Sequence, residues 1–254
     1  HKHKFIFFHG RKTAGSSIGI SLMRFLGPDD VVRGYITGGL AEGVVPPGYY
    51  DTWKYLGVRH NAPAFLDYLK HGCRLPVRVF QYRRYAKLRF GIRSTHTTCA
   101  ALRELLPSEV WDSYFKFTFV RNPWDRMISF YHWRTANMSA PPSFTDFVGA
   151  IHADDHNAML RYNAVGFDLT PFYKINGKRC VDFVARFEHL QNDLYEVSRA
   201  IGLPFDGWLP ENKSQVRRKA EGVQHSPETA RMVAEIAREE IADLGYEYHL
   251  ADVE

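Results

Sequence analysis

Cysteine is scarce in this chain: Cys73, Cys99 and Cys180 are the three among 254 residues. Their spacing fits no metal-ligand pattern, and their odd number argues against a full disulfide framework, so a reducing compartment is expected. No apolar run reaches membrane-spanning length, which makes a soluble globular protein the expectation. The location that follows is cytoplasmic, with the lumenal domain of a trimmed membrane-anchored protein as the alternative. Repeats, low-complexity tracts and a dividing linker are all missing, so 1–254 reads as a single domain with a variable region at about 30–93.

Acidic residues are missing from one long stretch. Tyr68 to Arg103 holds no Asp or Glu, yet it contains Lys70, Arg74, Arg78, Arg83, Arg84, Lys87, Arg89, Arg93 and Arg103. The formal charge of the whole chain is only +5, so the excess is local. Such a run is either a solvated face or a wall turned to an anionic partner. A basic nucleic-acid-binding protein is one reading of it, but no nucleic-acid motif accompanies the run.

What is present begins at the N-terminus. Residues 5–26 read "FIFFHGRKTAGSSIGISLMRFL". Lys4 to Phe8 suit a buried strand, and Ile18, Ile20, Leu22, Met23 and Leu26 recur near helical spacing, so a helix starts close to Ser16. Gly10 and Gly15 between them allow tight backbone conformations and close approach to a ligand. The first amides of the helix have no partner within it and favour an anion, to which Lys12 adds charge and Thr13, Ser16 and Ser17 add hydroxyls. The pattern G-x-x-x-x-G-K-[ST] does not fit, because Lys12 precedes the second glycine and no G-K-S/T follows. A nucleotide kinase using this loop for ATP would also want a magnesium-binding carboxylate at a strand end, and none is evident. A ligand-free strand-to-helix turn is the plain alternative.

A second stretch, "YFKFTFVRNPWDRMISFY" at 114–131, pairs a strand over Tyr114–Val120 with a helix. Asn122 suits the N-cap, Pro123 the first helical position, and Asp125 the positive helix end. Arg121 falls at the carboxyl end of the strand, where open α/β sheets bind ligands. With Ser129 along the helix it makes a phosphate clamp, although an arginine there can equally serve a structural ion pair. The stretch Gly38 to Tyr50, rich in Gly and Pro, reads as one long loop.

Together, "HGRKTAGSS" and "FTFVRNPWDRMISFY" resemble the sulfotransferases that use 3′-phosphoadenosine 5′-phosphosulfate (PAPS), and most closely their carbohydrate-type branch. The resemblance implies an α/β fold, a central, mostly parallel sheet flanked by helices, with a P-loop-like strand-loop-helix for the donor. It implies that Lys12, Thr13, Ala14, Gly15, Ser16 and Ser17 hold the 5′-phosphosulfate, and that Arg121 and Ser129 hold the 3′-phosphate. Arg11 stands where the family has proline. It is counted among the donor-binding residues, with an acceptor contact or a looser loop as alternatives. "VDFVARFEHLQNDLYEVSRAIGLP" resembles a further strand and helix of the family, ended by Gly202 and Pro204, with Phe187 placed against the adenine or simply in the core. "LPENKS" and the helix "SPETARMVAEIAREEIADLGY" match the family ending, with Ser226 as N-cap, Pro227 first and Gly245 as stop. Lys213, Ser214, Arg217 and Arg218 are the candidates there to close over the nucleotide.

Sulfuryl transfer needs a base, positive charge on the departing oxygen and fixed geometry. Lys12 can stabilise the leaving nucleotide, and PAPS chemistry requires no metal. His96 in "GIRSTHTTCAALRELL" is the candidate base, since an ordinary histidine pKa near 6.5 suits proton transfer at neutral pH and the family places its catalytic histidine just before such a helix, here Thr97–Leu106. His9, as a structural partner of the loop, and Glu104, on the helix surface, are its competitors among the candidates. "HADDH" at 152–156 reads as a solvated loop rather than a metal site. The partner is a hydroxyl-bearing acceptor. A carbohydrate is implied by the branch, a small alcohol or phenol is the alternative, and an anionic glycan is suggested by Arg83, Arg84, Lys87 and Arg89 leading towards His96. The product nucleotide is 3′-phosphoadenosine 5′-phosphate (PAP). Residues 30–93 would lie on the acceptor side.

Overall fold

The computed structural model describes residues 3–27, 30, 32, 35–47, 49, 58–71, 77–90, 94–210 and 223–248. Lys213, Ser214, Arg217 and Arg218 lie outside them, as do Cys73 and Arg93. The fold is mixed α/β, with a three-stranded sheet flanked by helices. Strand β1 spans Phe5–Phe8 and β2 spans Phe115–Val120. A small antiparallel hairpin pairs β3, Lys174–Ile175, with β4, Lys178–Arg179, and β5 spans Phe183–Arg186. The sheet order is β1-β2-β5, with β2 central and parallel to both neighbours. The register sets Phe8 opposite Thr118 and Val120 opposite Arg186.

The central strand alternates between two cores. Phe117 and Phe119 point into a cluster with Ile18, Leu22, Ala185 and Leu194, which carries the helices Gly15–Met23 and Leu190–Ala200. Val120 points the other way, with Ile6 and Phe8, towards Trp124, Met127 and Phe130 of the helix Pro123–Thr135. Burial on both faces explains the aromatic density of "FKFTFV", each Phe contributing about 1.5–3 kcal/mol. Three parallel strands also bring three carboxyl-terminal ends to one edge. That edge is where the sequence motifs meet.

Several local expectations need correction. Gly38 and Gly39 belong to a helix, Ile36–Ala41, rather than to one long loop. A Cβ on Gly39 would stand 2.7 Å from the Val44 carbonyl oxygen, so this glycine serves close packing inside a helix. The helix expected over Thr97–Leu106 runs over Cys99–Leu105, because Thr98 takes extended geometry and its hydroxyl accepts from the Ala101 amide. The C-terminal helix keeps its Ser226 cap and its Gly245 stop but breaks at Ala237 into Pro227–Ile236 and Arg238–Leu244. Beyond the break, Glu240 meets Arg126 with two hydrogen bonds, the longer 2.7 Å. Both side chains are buried, at 1% and 2% exposure.

Candidate functional site

The loop that follows β1 gains its shape from residues other than its glycines. Lys12 and Ala14 adopt left-handed conformations, with φ of 64° and 59°, while Gly10 and Gly15 do not. The glycines instead give room. A Cβ on Gly15 would fall 1.8 Å from the His9 ring, so that ring lies flat against the helix start. Thr13 is fully buried and its hydroxyl donates to the Gly10 carbonyl at 3.1 Å, closing the turn. The helix's first bond runs from the Ile18 amide to Ala14, so the amides of Gly15, Ser16 and Ser17 precede the intrahelical ladder. They form the positive end of a nine-residue helix with no acid in its first turn.

The end of β2 grips this loop. Arg121 is 4% exposed, and its Nη1 donates to the Lys12 carbonyl at 3.1 Å. Its Nε donates to Asp125 at 2.6 Å, an i,i+4 pair across the helix start. Asn122 caps that helix by accepting from the amides of Trp124 and Asp125, with Pro123 first, as its sequence requires. Asp125, Ser129 and Trp133 then follow at helical spacing on one face. The Lys12 ammonium reaches this face, 5.7 Å from the centre of the Trp133 ring.

The end of β5 completes the edge. Phe187 is half-buried, with the Arg121 guanidinium 4.1 Å from its ring centre, a cation–π contact rather than a place in either core. Glu188 accepts from the Asn122 amide at 2.6 Å and so locks β5 to β2.

His96 approaches the loop from a different segment. Its Nδ1 lies 2.8 Å from the His9 carbonyl oxygen. A carbonyl only accepts, so Nδ1 carries the proton and Nε2 is the basic nitrogen of the neutral ring. The ring centres of His9 and His96 are 4.6 Å apart, and Phe172 meets His96 edge-on at 6.4 Å. His9 is itself fixed by Tyr35, whose hydroxyl lies 2.7 Å from Nδ1. Burial pushes the Tyr35 hydroxyl pKa upward, which keeps it neutral. Glu104 is exposed on its helix.

The arrangement thus joins a lysine on a phosphate-type loop, a buried arginine behind it, a serine beside it and an oriented histidine. The model of the sulfotransferase family matches residues 1–254. The chain belongs to the sulfotransferase family. PAPS is the donor the family implies, and the enzyme is a sulfotransferase. The chain is also 30% identical over 104 residues to an uncharacterized protein of Archaeoglobus fulgidus, covering 41% of this chain and 80% of the relative. No solved structure matches the chain.

Other sequence features fall elsewhere in the sulfotransferase. "HADDH" divides: His152 lies 2.6 Å from Glu235, and Asp155 caps the helix His156–Arg161. Among the described residues no group of three His, Cys, Asp or Glu could hold a metal ion, and no helix is long and apolar enough to cross a membrane. The middle of the acid-free stretch is the helix Val77–Phe90, packed on Val58–Lys70 around Ala64, Val79, Phe80 and Tyr82, with Arg83 and Lys87 exposed. Sequence reasoning passed over Asp125 as the partner of Arg121, although the i,i+4 spacing signals it. It also passed over His132, Trp133 and Arg134, whose place beside the loop no local pattern announces.

Proposed function

We propose that this sulfotransferase moves the sulfuryl group of PAPS to a hydroxyl of a carbohydrate, with His96 as general base. In this reading Lys12 to Ser17 hold the 5′-phosphosulfate, Arg121 and Ser129 hold the 3′-phosphate, and Phe187 supports the adenine. The observation that carries it is the 2.8 Å bond from His96 to the carbonyl of His9, on the same loop as Lys12. The base and the cation that must act in one transition state are therefore anchored to one rigid turn. His96 Nε2 takes the proton of the acceptor hydroxyl while its oxygen attacks sulfur. The bond from sulfur to the 5′-phosphate oxygen breaks, and PAP leaves with that electron pair. The Lys12 ammonium stabilises the charge that develops on the departing oxygen.

A second reading rests on a cavity of about 370 Å³ lined mainly by apolar side chains, among them Leu22, Val32, Tyr35 and Leu102, with Thr95 and Thr97 flanking His96. Its apolar lining favours a small alcohol or phenol as acceptor.

Labelled PAPS offered with a panel of sugars, anionic glycans, alcohols and phenols separates the two readings by which product carries sulfate. On the best acceptor, His96→Ala is expected to lose about a hundredfold or more in turnover. It should keep its fold and its PAP affinity. Wild-type turnover in that variant, with chemistry limiting, would remove His96 from the role.

A further inference from the structure

Arg11 is the residue that departs from the family motif, and its side chain reaches the turn at Gly166. Its Nη1 donates to the Gly166 carbonyl at 3.4 Å. Gly166 has φ of 88°, and a Cβ there would stand 2.4 Å from that guanidinium, so the turn is shaped around Arg11. Arg134, from the last turn of the helix Pro123–Thr135, donates to the Val165 carbonyl next door and to the Asn163 side chain at 3.0 Å. Its guanidinium lies 4.4 Å from the centre of the Trp133 ring, the ring that Lys12 also approaches. His132 precedes that tryptophan.

Arg11 Nε, Arg134 Nε and His132 Nε2 are all buried with no hydrogen-bond partner. Neither guanidinium forms an ion pair among the described residues, in contrast to Arg121 and Arg126, which each hold a carboxylate. Burial lowers the pKa of all three, and the nearby charges add to the effect: Arg11 acts on Arg134, and Lys12 acts on His132. Two half-buried guanidinium cations without a carboxylate, each with N–H groups beyond those bonded to Gly166, Val165 and Asn163, are arranged for an anion.

We propose that Arg11 and Arg134 form an oxyanion subsite beside Lys12, outside the donor's two phosphate clamps, and that it takes an acidic group of the acceptor. The proposal rests on the sulfotransferase reading of Lys12 and Arg121. A carboxylate or sulfate ester held there would anchor an acidic acceptor next to the lysine that faces the transferring group. The remaining N–H groups of two guanidinium cations suit the several lone pairs of such an oxyanion.

The test uses the Trp133 indole N–H resonance, assigned through Trp133→Phe, as the local reporter. Inorganic sulfate and glucosamine 6-sulfate are titrated at constant ionic strength into the PAP-saturated enzyme. Saturable movement of the Trp133 signal is expected, and Arg134→Gln should weaken the sulfate response by at least about tenfold, the scale of a lost charge-assisted contact. PAP affinity of Arg134→Gln should stay near that of wild type. An unmoved Trp133 signal overturns the subsite. So does competition between sulfate and PAP, or an equal loss of PAP affinity in Arg134→Gln, since either would assign these residues to the donor. If wild-type enzyme failed to bind PAP, the donor reading would fall instead, and the same titration without PAP would still decide the subsite.

Discussion

Two regions of this sulfotransferase are strongly positive, and they are built in opposite ways. The helix Val77–Phe90 carries its cations side by side in the sequence, and Arg83 and Lys87 stand exposed in water. Around the loop after β1 the cations come from distant places, Arg11, Lys12, Arg121 and Arg134, and none of the four is exposed. At 4 Å, a pair of charges interacts by about 1 kcal/mol in bulk water and about 4 kcal/mol at an effective dielectric of 20. The shorter list of cations therefore commands the larger field. Density of charge along a sequence is a poor guide to field strength, because folding decides which charges lose their water.

The largest expected effect tests, at the buried pair of Arg126 and Glu240, whether charges that lose their water interact strongly. Glu240→Ala leaves Arg126 buried without its carboxylate, and urea unfolding is expected to show a loss of about 3–5 kcal/mol. Replacing both residues by Met should recover most of that stability, because the cost lies in the stranded charge. A loss below about 1 kcal/mol for Glu240→Ala would mean that water reaches Arg126 and that its surroundings are no drier than the exposed helix.

A middle-sized effect sharpens the comparison within the loop itself. Arg121→Ala should weaken PAP by at least about tenfold, as one charge-assisted contact is lost. Arg121 also holds the Lys12 carbonyl, so AMP, which lacks the 3′-phosphate, provides the control. Calorimetry should show AMP weakened less than PAP. Equal losses would give Arg121 a positioning role through the loop instead of a grip on the 3′-phosphate.

The smallest effect concerns the exposed helix. Arg83→Gln with Lys87→Gln should raise the KM of an acidic acceptor by about two- to fivefold at low salt, and the difference should fade as salt is added. PAP affinity should hardly move. A KM penalty that persisted at high salt would show that these two cations touch the acceptor directly.

Much of the sheet could be read in the sequence, because "FIFF", "FKFTFV" and "FVAR" are strands whose apolar residues need cover on both faces. The caps at Asn122 and Ser226 were equally legible, since a single side chain and the next few amides decide them. The loop after β1 was legible as a loop but not in its mechanics. Lys12 and Ala14 take the left-handed conformations that glycine was expected to supply, because the bonds to Arg121 and within the Thr13 turn hold them there. The grouping of Arg11 with Arg134 was not legible. It depends on a turn at Gly166 that lies 155 residues beyond Arg11, and spacing along the chain carries no trace of it.

The pairing of β1 with β2 also fixes an order of events. Thr118 closes onto the Phe8 carbonyl across 110 residues, and Arg121 onto Lys12 across 109. A chain emerging from the ribosome therefore displays the residues of the loop after β1 long before the partners that shape them exist. Closing so large a loop carries an entropic cost that local helices do not face, and parallel pairing is slow for that reason. The helix Gly15–Met23 can flicker into place alone, but the turn before it must wait. Competence to grip a nucleotide is thus a late arrival in the life of the nascent polypeptide, acquired when the second strand slides in beside the first.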